Sequence, residues 1–145
     1  MINEYLYIEI LRNMPIVTVD LIILDKKKEN LLLFNRLNEP MKNIFYTPGG
    51  RVYKNETLDN AILRKTQEEL CLSLSINDVK FLGHVEEFFT NSAFDNVSSH
   101  CINFIYQYIL DSPILKLDLQ HSEHKWFNIN DVTLHKNIKD KIKLI

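Results

Sequence analysis

The sequence predicts an α/β protein, an α/β/α sandwich around a mixed β-sheet, and three observations support this prediction. Apolar, β-branched runs recur along the chain, they alternate with segments of helical spacing, and only 3 glycines and 4 prolines interrupt the 145 residues. Strands that lie before, between and after helices favour helices packed against a shared sheet. The length suits a single domain over residues 1–145 with a core of its own.

The N-terminal part is predicted to hold one short helix and three extended segments. Apolar residues at helical spacing precede Pro15, and the β-branched run from 16 to 24 is typical of a buried strand. A second strand starts over 31–34, and a short extended segment over 45–47 leads into residues 48–50. Because this last segment reads Pro-Gly-Gly, we expect a turn there.

The rest of the chain predicts a second helix, three more strands and a helical tail. The helix should run from about Thr57 to Leu70, with Thr57 as its N-cap and an apolar stripe on one side. Long strands are expected over 79–89 and 100–110, and a last strand over 124–127. A polar helical tail should begin at about Asn130.

Composition and charge exclude several classes of protein. The net charge of -2 provides no general attraction to nucleic acid or to an anionic membrane. No apolar run approaches the roughly 20 residues of a membrane span. The N-terminal residues carry Glu4 and Glu9 and lack the basic start of a secretory signal. Cys71 and Cys101 lack metal-type spacing, so we expect two reduced thiols in a cytoplasmic protein.

The segment from Gly50 to Leu72 carries the strongest chemical signal. Glycine lets the backbone at Gly49 and Gly50 approach a metal ion or a phosphate closely. Glu68 and Glu69 are adjacent carboxylates, which repel each other unless a cation lies beside them, and a hard ion such as Mg²⁺ prefers such oxygen ligands. The alternative is a solvated helix face with i,i+4 ion pairs. The neighbouring glycines and Glu56 favour the metal site.

This segment resembles the Nudix box, G-x5-E-x7-R-E-U-x-E-E-x-G-U, in which U is a bulky aliphatic residue. The positions that agree are Gly50, Glu56, Arg64, Glu68, Glu69 and Leu72. Three positions depart from the pattern, because Lys65 replaces a glutamate, Thr66 an aliphatic residue and Cys71 a glycine. Lys65 places a cation where a carboxylate would help to hold metal, which disfavours the usual pyrophosphohydrolase chemistry.

Over nearly its whole length the chain resembles GDP-mannose mannosyl hydrolases, the Nudix branch in which water attacks a sugar carbon. The matches include 15–20, 48–52, Gln120-His121 and 125–127. The resemblance implies hydrolysis of GDP-α-D-mannose to GDP and β-D-mannose with inversion, by a homodimer. The implied Mg²⁺ ligands, with Mn²⁺ as a substitute ion, are Glu69, Gln120, the Gly49 carbonyl and, as a further candidate, Glu68. The implied catalytic and substrate-binding residues are His121 as the base, Asp20 beside the sugar, Arg36 and Arg51 on the diphosphate, and Tyr7 against the nucleotide.

The implied reaction is chemically consistent with these residue types. A departing diphosphate gains negative charge, which Mg²⁺ and two arginines would stabilise. Histidine, with an ordinary pKa of about 6.5, suits a base that activates water near neutral pH. A carboxylate within an apolar strand is costly unless it has a partner. Asp20 therefore either faces the developing positive charge on the sugar or forms an ion pair with a core arginine.

Several departures from the resembled enzymes keep other functions open. Glu39, Glu87 and Cys101 replace a basic residue, a histidine and a tyrosine, so GDP-glucose or another nucleotide sugar is also a candidate substrate. The second reading is a Nudix pyrophosphohydrolase that attacks phosphorus in a nucleotide sugar or a (d)NTP. The third is a non-catalytic nucleotide-binding sensor, which Lys65 and Cys71 favour and which Glu69, Gln120 and His121 disfavour.

Overall fold

A computed structural model describes residues 2–111 and 123–145. The helices are α1 (Glu4–Asn13), α2 (Leu58–Leu70) and α3 (Lys136–Ile142), and a 3-10 turn covers Ile76–Asp78. The strands are β1 (Ile16–Leu24), β2 (Asn30–Asn35), β3 (Phe45–Tyr46), β4 (Gly49–Arg51), β5 (Val79–Phe89), β6 (Ser99–Ile109) and β7 (His124–Asn128). Among the described helices, none has the length and apolar character needed to cross a membrane.

The strands form one mixed sheet, which confirms the predicted fold class. Its order is β3-β2-β1-β6-β5, with β4 paired to β1 and β7 paired to β2. Strands β1 and β6 run parallel, with Ile16 opposite Cys101, while the other pairs are antiparallel. The long β1–β6 ladder brings residues near the start of the chain beside residues of the second half.

Strand β1 contributes side chains to both layers because successive residues of a strand point to opposite faces. Leu21 packs in the cluster that contains Ile62 of α2. Ile22 packs in the cluster that contains Ile138 of α3. Asp20 has the same parity as Ile22, so its side chain lies on the α3 side of the sheet.

The predicted turn over 48–50 is wrong, because Gly49–Arg51 is a short strand that pairs with β1. The glycine at position 49 is required by close packing. A Cβ atom there would lie 2.0 Å from the Oδ1 atom of Asp20 and 2.2 Å from the backbone oxygen of Val19. The two strands can approach this closely only because Gly49 has no side chain.

The other predicted elements are confirmed, except that α3 begins later than expected. Asp131 accepts hydrogen bonds from the backbone N–H and the hydroxyl of Thr133, at 2.8 and 2.6 Å. Such local bonds stabilise a turn in place of a helix. His135 is then the N-cap of α3, and its Nδ1 accepts from the backbone N–H of Asn137.

Candidate active site

A cavity of about 300 Å³ lies between α1, the segment after β2 and the sheet. Six of the residues predicted from the sequence to form the site line this cavity. They are Tyr7, Asp20, Arg36, Gly49, Arg51 and Glu69. Glu68 lies beside Glu69 but does not line the cavity, and Gln120 and His121 are outside the described residues.

Arg64 and Glu56 connect helix α2 to the segment that precedes it. The Nε atom of Arg64 lies 2.6 Å from Glu56 Oε1, and a terminal nitrogen lies 2.9 Å from Oε2. Arg64 also donates to the carbonyl of Arg51 at 3.0 Å, and Glu56 accepts from the backbone N–H of Tyr53. The hydrogen bonds from Arg64 lower the pKa of Glu56. These contacts hold the middle of α2 against β4.

The carboxylates of Glu68 and Glu69 hold the ammonium group of Lys65. Its Nζ atom lies 2.9 Å from Glu69 and 3.3 Å from Glu68. A Cβ atom at Gly50 would lie 2.6 Å from Lys65 Cε, so the Lys65 side chain would have to move to admit any side chain there. Burial lowers the pKa of Lys65, but the attraction of Glu69 and Glu68 outweighs it and leaves that pKa raised.

The donor set of this part of the site fits a divalent cation. Within residues 2–111 and 123–145, no three His, Cys, Asp or Glu side chains converge on one metal position. Glu68 and Glu69 nevertheless provide paired oxygens of the kind that Mg²⁺ prefers, and Glu69 accepts from the backbone N–H of Gly49 at 3.2 Å. The same carboxylates already hold a cation, the ammonium of Lys65, so a metal ion must compete with it.

Two arginines, Arg36 and Arg51, also line the cavity. Arg36 is fixed by a 2.7 Å hydrogen bond from its Nε to the carbonyl of Pro40. The guanidinium of Arg51 lies 4.6 Å from the centre of the Tyr7 ring and 5.6 Å from that of Tyr53. Tyr7 also contacts Phe94 edge to face, and burial raises its pKa. Tyr7 therefore packs against Arg51 at the cavity wall.

Asp20 has a buried partner that the sequence did not predict. Lys141 of α3 is fully buried, and its Nζ lies 2.8 Å from Asp20 Oδ2 and 2.8 Å from the hydroxyl oxygen of Thr47. Thr47 donates to the same Asp20 oxygen at 2.6 Å, and the Tyr46 ring lies 3.9 Å from the ammonium. The ion pair anticipated with a core arginine is thus made with a lysine of the last helix.

Glu87 adds a second buried carboxylate to this cluster. Its Oε2 lies 3.5 Å from the ammonium of Lys141, and Asn103 donates a hydrogen bond to its Oε1. Burial raises the pKa of Glu87; the ammonium of Lys141 opposes this and Asp20 adds to it, and the pKa remains raised. Burial, with Glu87 and Asp20, also raises the pKa of the Cys101 thiol to about 12. We call this cluster of Asp20, Glu87, Asn103 and Lys141 the floor of the cavity. Its two carboxylates and one ammonium give the floor a net negative charge.

Comparison with known proteins identifies the family. Residues 14–145 match the NUDIX domain. The chain belongs to the NUDIX family. Hydrolases of this family generally use divalent metals such as Mg²⁺. As a Nudix hydrolase, the chain contains the family helix as α2, and the carboxylates of its box lie beside the cavity.

Two related sequences and one solved structure illustrate the similarity. The chain is 38% identical over 119 residues to the low-salt glycan biosynthesis protein Agl8 of Haloferax volcanii, covering 81% of this chain and 74% of that protein. It is 32% identical over 118 residues to the ADP-ribose pyrophosphatase of Methanocaldococcus jannaschii, covering 81% of this chain and 64% of that protein. The MutT Nudix hydrolase of Burkholderia pseudomallei superposes with a TM-score of 0.70 at 21% identity, covering 92% of this chain and 99% of that one. This last likeness shows the fold alone.

Proposed function

We propose that this Nudix hydrolase cleaves GDP-mannose, or a related GDP-hexose such as GDP-glucose, to GDP and free sugar. In this proposal water attacks C1 of the sugar with inversion. The observation that carries it is the mixed charge of the cavity lining, which includes Arg36 and Arg51 as well as Asp20 and Glu87. A nucleoside diphosphate sugar can use both kinds of group, since its phosphates are anionic and its sugar hydroxyls are hydrogen-bond donors.

The chain's own residues would bind and orient both ends of such a substrate. Arg36 and Arg51 would stabilise the charge that the departing diphosphate gains. Asp20, held by Lys141 and Thr47, would present its carboxylate toward the sugar carbon, where positive charge develops. Tyr7, which already packs on Arg51, would lie against the nucleotide.

The remaining roles follow from the family resemblance. Glu69, the Gly49 carbonyl and Gln120, with Glu68 as a further candidate, would hold Mg²⁺, or Mn²⁺ in its place. The bound ion would neutralise the diphosphate and so make it a better leaving group. His121 would take a proton from the attacking water. The proposal further takes residues 1–145 as one catalytic domain that acts as a homodimer in the cytoplasm.

The relative Agl8 supports a substrate that carries a sugar, because it is a glycan biosynthesis protein. The relative from Methanocaldococcus jannaschii favours the second candidate, a pyrophosphohydrolase that attacks phosphorus, because it is an ADP-ribose pyrophosphatase. Both candidates use a nucleoside diphosphate derivative and differ in the bond that water breaks. Product analysis therefore distinguishes them.

The test is a turnover assay with Mg²⁺ against a panel that contains GDP-mannose, GDP-glucose, ADP-ribose and the common dNTPs. Attack at carbon yields free sugar and GDP, whereas attack at phosphorus yields sugar phosphate and GMP. In water enriched in ¹⁸O, we expect the label in the sugar. Label in a phosphate group would overturn the proposed mechanism, and tight binding without turnover of any compound would favour the sensor.

A further inference from the structure

We infer that Glu87 and Asn103 form a recognition subsite for hydroxyl groups of the moiety attached to the diphosphate. The inference rests on the proposed function in one respect, because it takes the cavity as the substrate site. It goes beyond that function by assigning the discrimination between sugars to two residues that the Nudix box does not contain.

The two side chains are neighbours in the floor of the cavity. Glu87 of β5 pairs with Cys101 of β6, so Asn103 is its diagonal neighbour on the same face of the sheet. Both residues line the cavity although each is only 2% exposed. Their positions are fixed, since Asn103 donates to Glu87 Oε1 and the ammonium of Lys141 lies near Glu87 Oε2.

Each of the two side chains has one acceptor atom without a hydrogen-bond donor. In the part of the chain that the structure describes, Asn103 Oδ1 and Glu87 Oε2 are buried and accept no hydrogen bond. The ammonium of Lys141 comes no closer than 3.5 Å to that Glu87 oxygen, because Asp20 and Thr47 hold it at 2.8 Å. Buried acceptors are nearly always satisfied in folded proteins. Two neighbouring residues that line a cavity and each retain an unsatisfied acceptor indicate a ligand that brings donors.

The charge of the floor determines which part of a substrate can bind there. Asp20 and Glu87 provide two carboxylates for the single ammonium of Lys141, so the floor repels phosphate. Phosphates are attracted instead to Arg36 and Arg51. The group that reaches the floor must therefore carry donors without negative charge. Neighbouring hydroxyls of a hexosyl group meet this requirement, with one hydroxyl for each acceptor.

The test compares binding of a nucleotide sugar with binding of its own nucleoside diphosphate. Glu87→Gln keeps the shape of the side chain and an oxygen for the Asn103 bond, but removes the charge. Glu86→Gln is the matched control, since Glu86 is exposed on the other face of the same strand. Dissociation constants for GDP-mannose and GDP are measured by calorimetry in EDTA, where metal-dependent turnover is suppressed. If another nucleotide sugar shows turnover in the substrate panel, its dissociation constant is compared with that of its own nucleoside diphosphate in the same way.

We expect Glu87→Gln to weaken binding of the nucleotide sugar roughly tenfold, because hydrogen bonds to a charged group are about twice as strong as neutral ones. Binding of the nucleoside diphosphate should be unchanged or slightly tighter, and Glu86→Gln should alter neither. Equal weakening of both ligands, or no weakening of the sugar ligand, would overturn the inference. Wild-type protein that binds no nucleotide sugar more tightly than its diphosphate would also overturn it.

A thermodynamic cycle with deoxy sugars locates the contact. The wild-type protein should lose affinity for the analogue that lacks the hydroxyl at Glu87, and the Glu87→Gln variant should show little further loss for that analogue. Additive losses for every analogue would contradict a direct contact. If the products are sugar phosphate and GMP while the cycle still shows coupling, carbon attack is wrong and the subsite stands.

Discussion

Substitution of Lys141 by methionine would remove the ammonium group that contacts both buried carboxylates. Methionine has a similar length and no charge, so packing around α3 should change little. Lys141 is 0% exposed, and Asp20 and Glu87 are 7% and 2% exposed, so water cannot replace the lost contacts without rearrangement. Removal of one partner from a buried ion pair costs about 3–5 kcal/mol.

The expected change in melting temperature follows from the size of the protein. An unfolding entropy of about 2.1 cal/mol/K per residue corresponds to about 0.3 kcal/mol/K for a chain of 145 residues. A loss of about 3–5 kcal/mol then lowers Tm by about 10–16 °C. Scanning calorimetry at neutral pH measures this shift. Lys143→Met is the control, because that lysine is 77% exposed, and it should change stability by less than about 0.5 kcal/mol.

A second substitution tests whether charge is the cause. Adding Glu87→Gln to Lys141→Met removes one of the two uncompensated carboxylates, so part of the lost Tm should return. If Lys141→Met alone lowers Tm by less than about 3 °C, which corresponds to about 1 kcal/mol, Lys141 does not compensate buried charge. A double variant less stable than the single one would point to lost packing as the cause.

Three further predictions concern the box and the thiols. Lys65→Gln should tighten Mn²⁺ binding, measured by EPR without substrate, because it removes the ammonium from Glu69 and Glu68. Equal Mn²⁺ affinities in Lys65→Gln and the exposed control Lys54→Gln would show that the ammonium of Lys65 does not compete with the metal ion. Cys71→Gly should raise unfolding free energy by about 1 kcal/mol in urea titrations, because Cys71 has a left-handed backbone with a φ of 54°. With a pKa of about 12, the Cys101 thiol should have an ionised fraction of about 10⁻⁴ at pH 8. Iodoacetamide should therefore modify only Cys71 at that pH, and Cys101 should react as the pH approaches 12 or when the protein unfolds.

Local sequence patterns were sufficient for the elements that depend on neighbouring residues. The β-branched run from 16 to 24 became β1 with the predicted bounds, and Thr57 is the N-cap of α2. The ion pair of Lys65 with Glu69 also follows from its i,i+4 spacing. Each of these features depends on residues that are close together in the sequence.

Contacts between distant parts of the chain could not be predicted from local sequence patterns. Strand parity places Asp20 on the α3 side of the sheet, which the sequence could have indicated. Its partner could not be identified, because the Asp20–Lys141 bond joins residues 121 positions apart. The pairing of β4 with β1 was missed for the same reason, since Pro-Gly-Gly is locally a turn signal and the strand depends on its distant neighbour.

The contact of α3 with the cavity floor has a consequence for the order of events during synthesis. Asp20 and Glu87 leave the ribosome well before Lys141, so neither carboxylate has its counterion while the sheet assembles. Until α3 docks, the two acids have no cation between them and repel each other. Docking of this short helix brings the ammonium of Lys141 to both carboxylates. Competence to bind a ligand should therefore depend on the docking of α3.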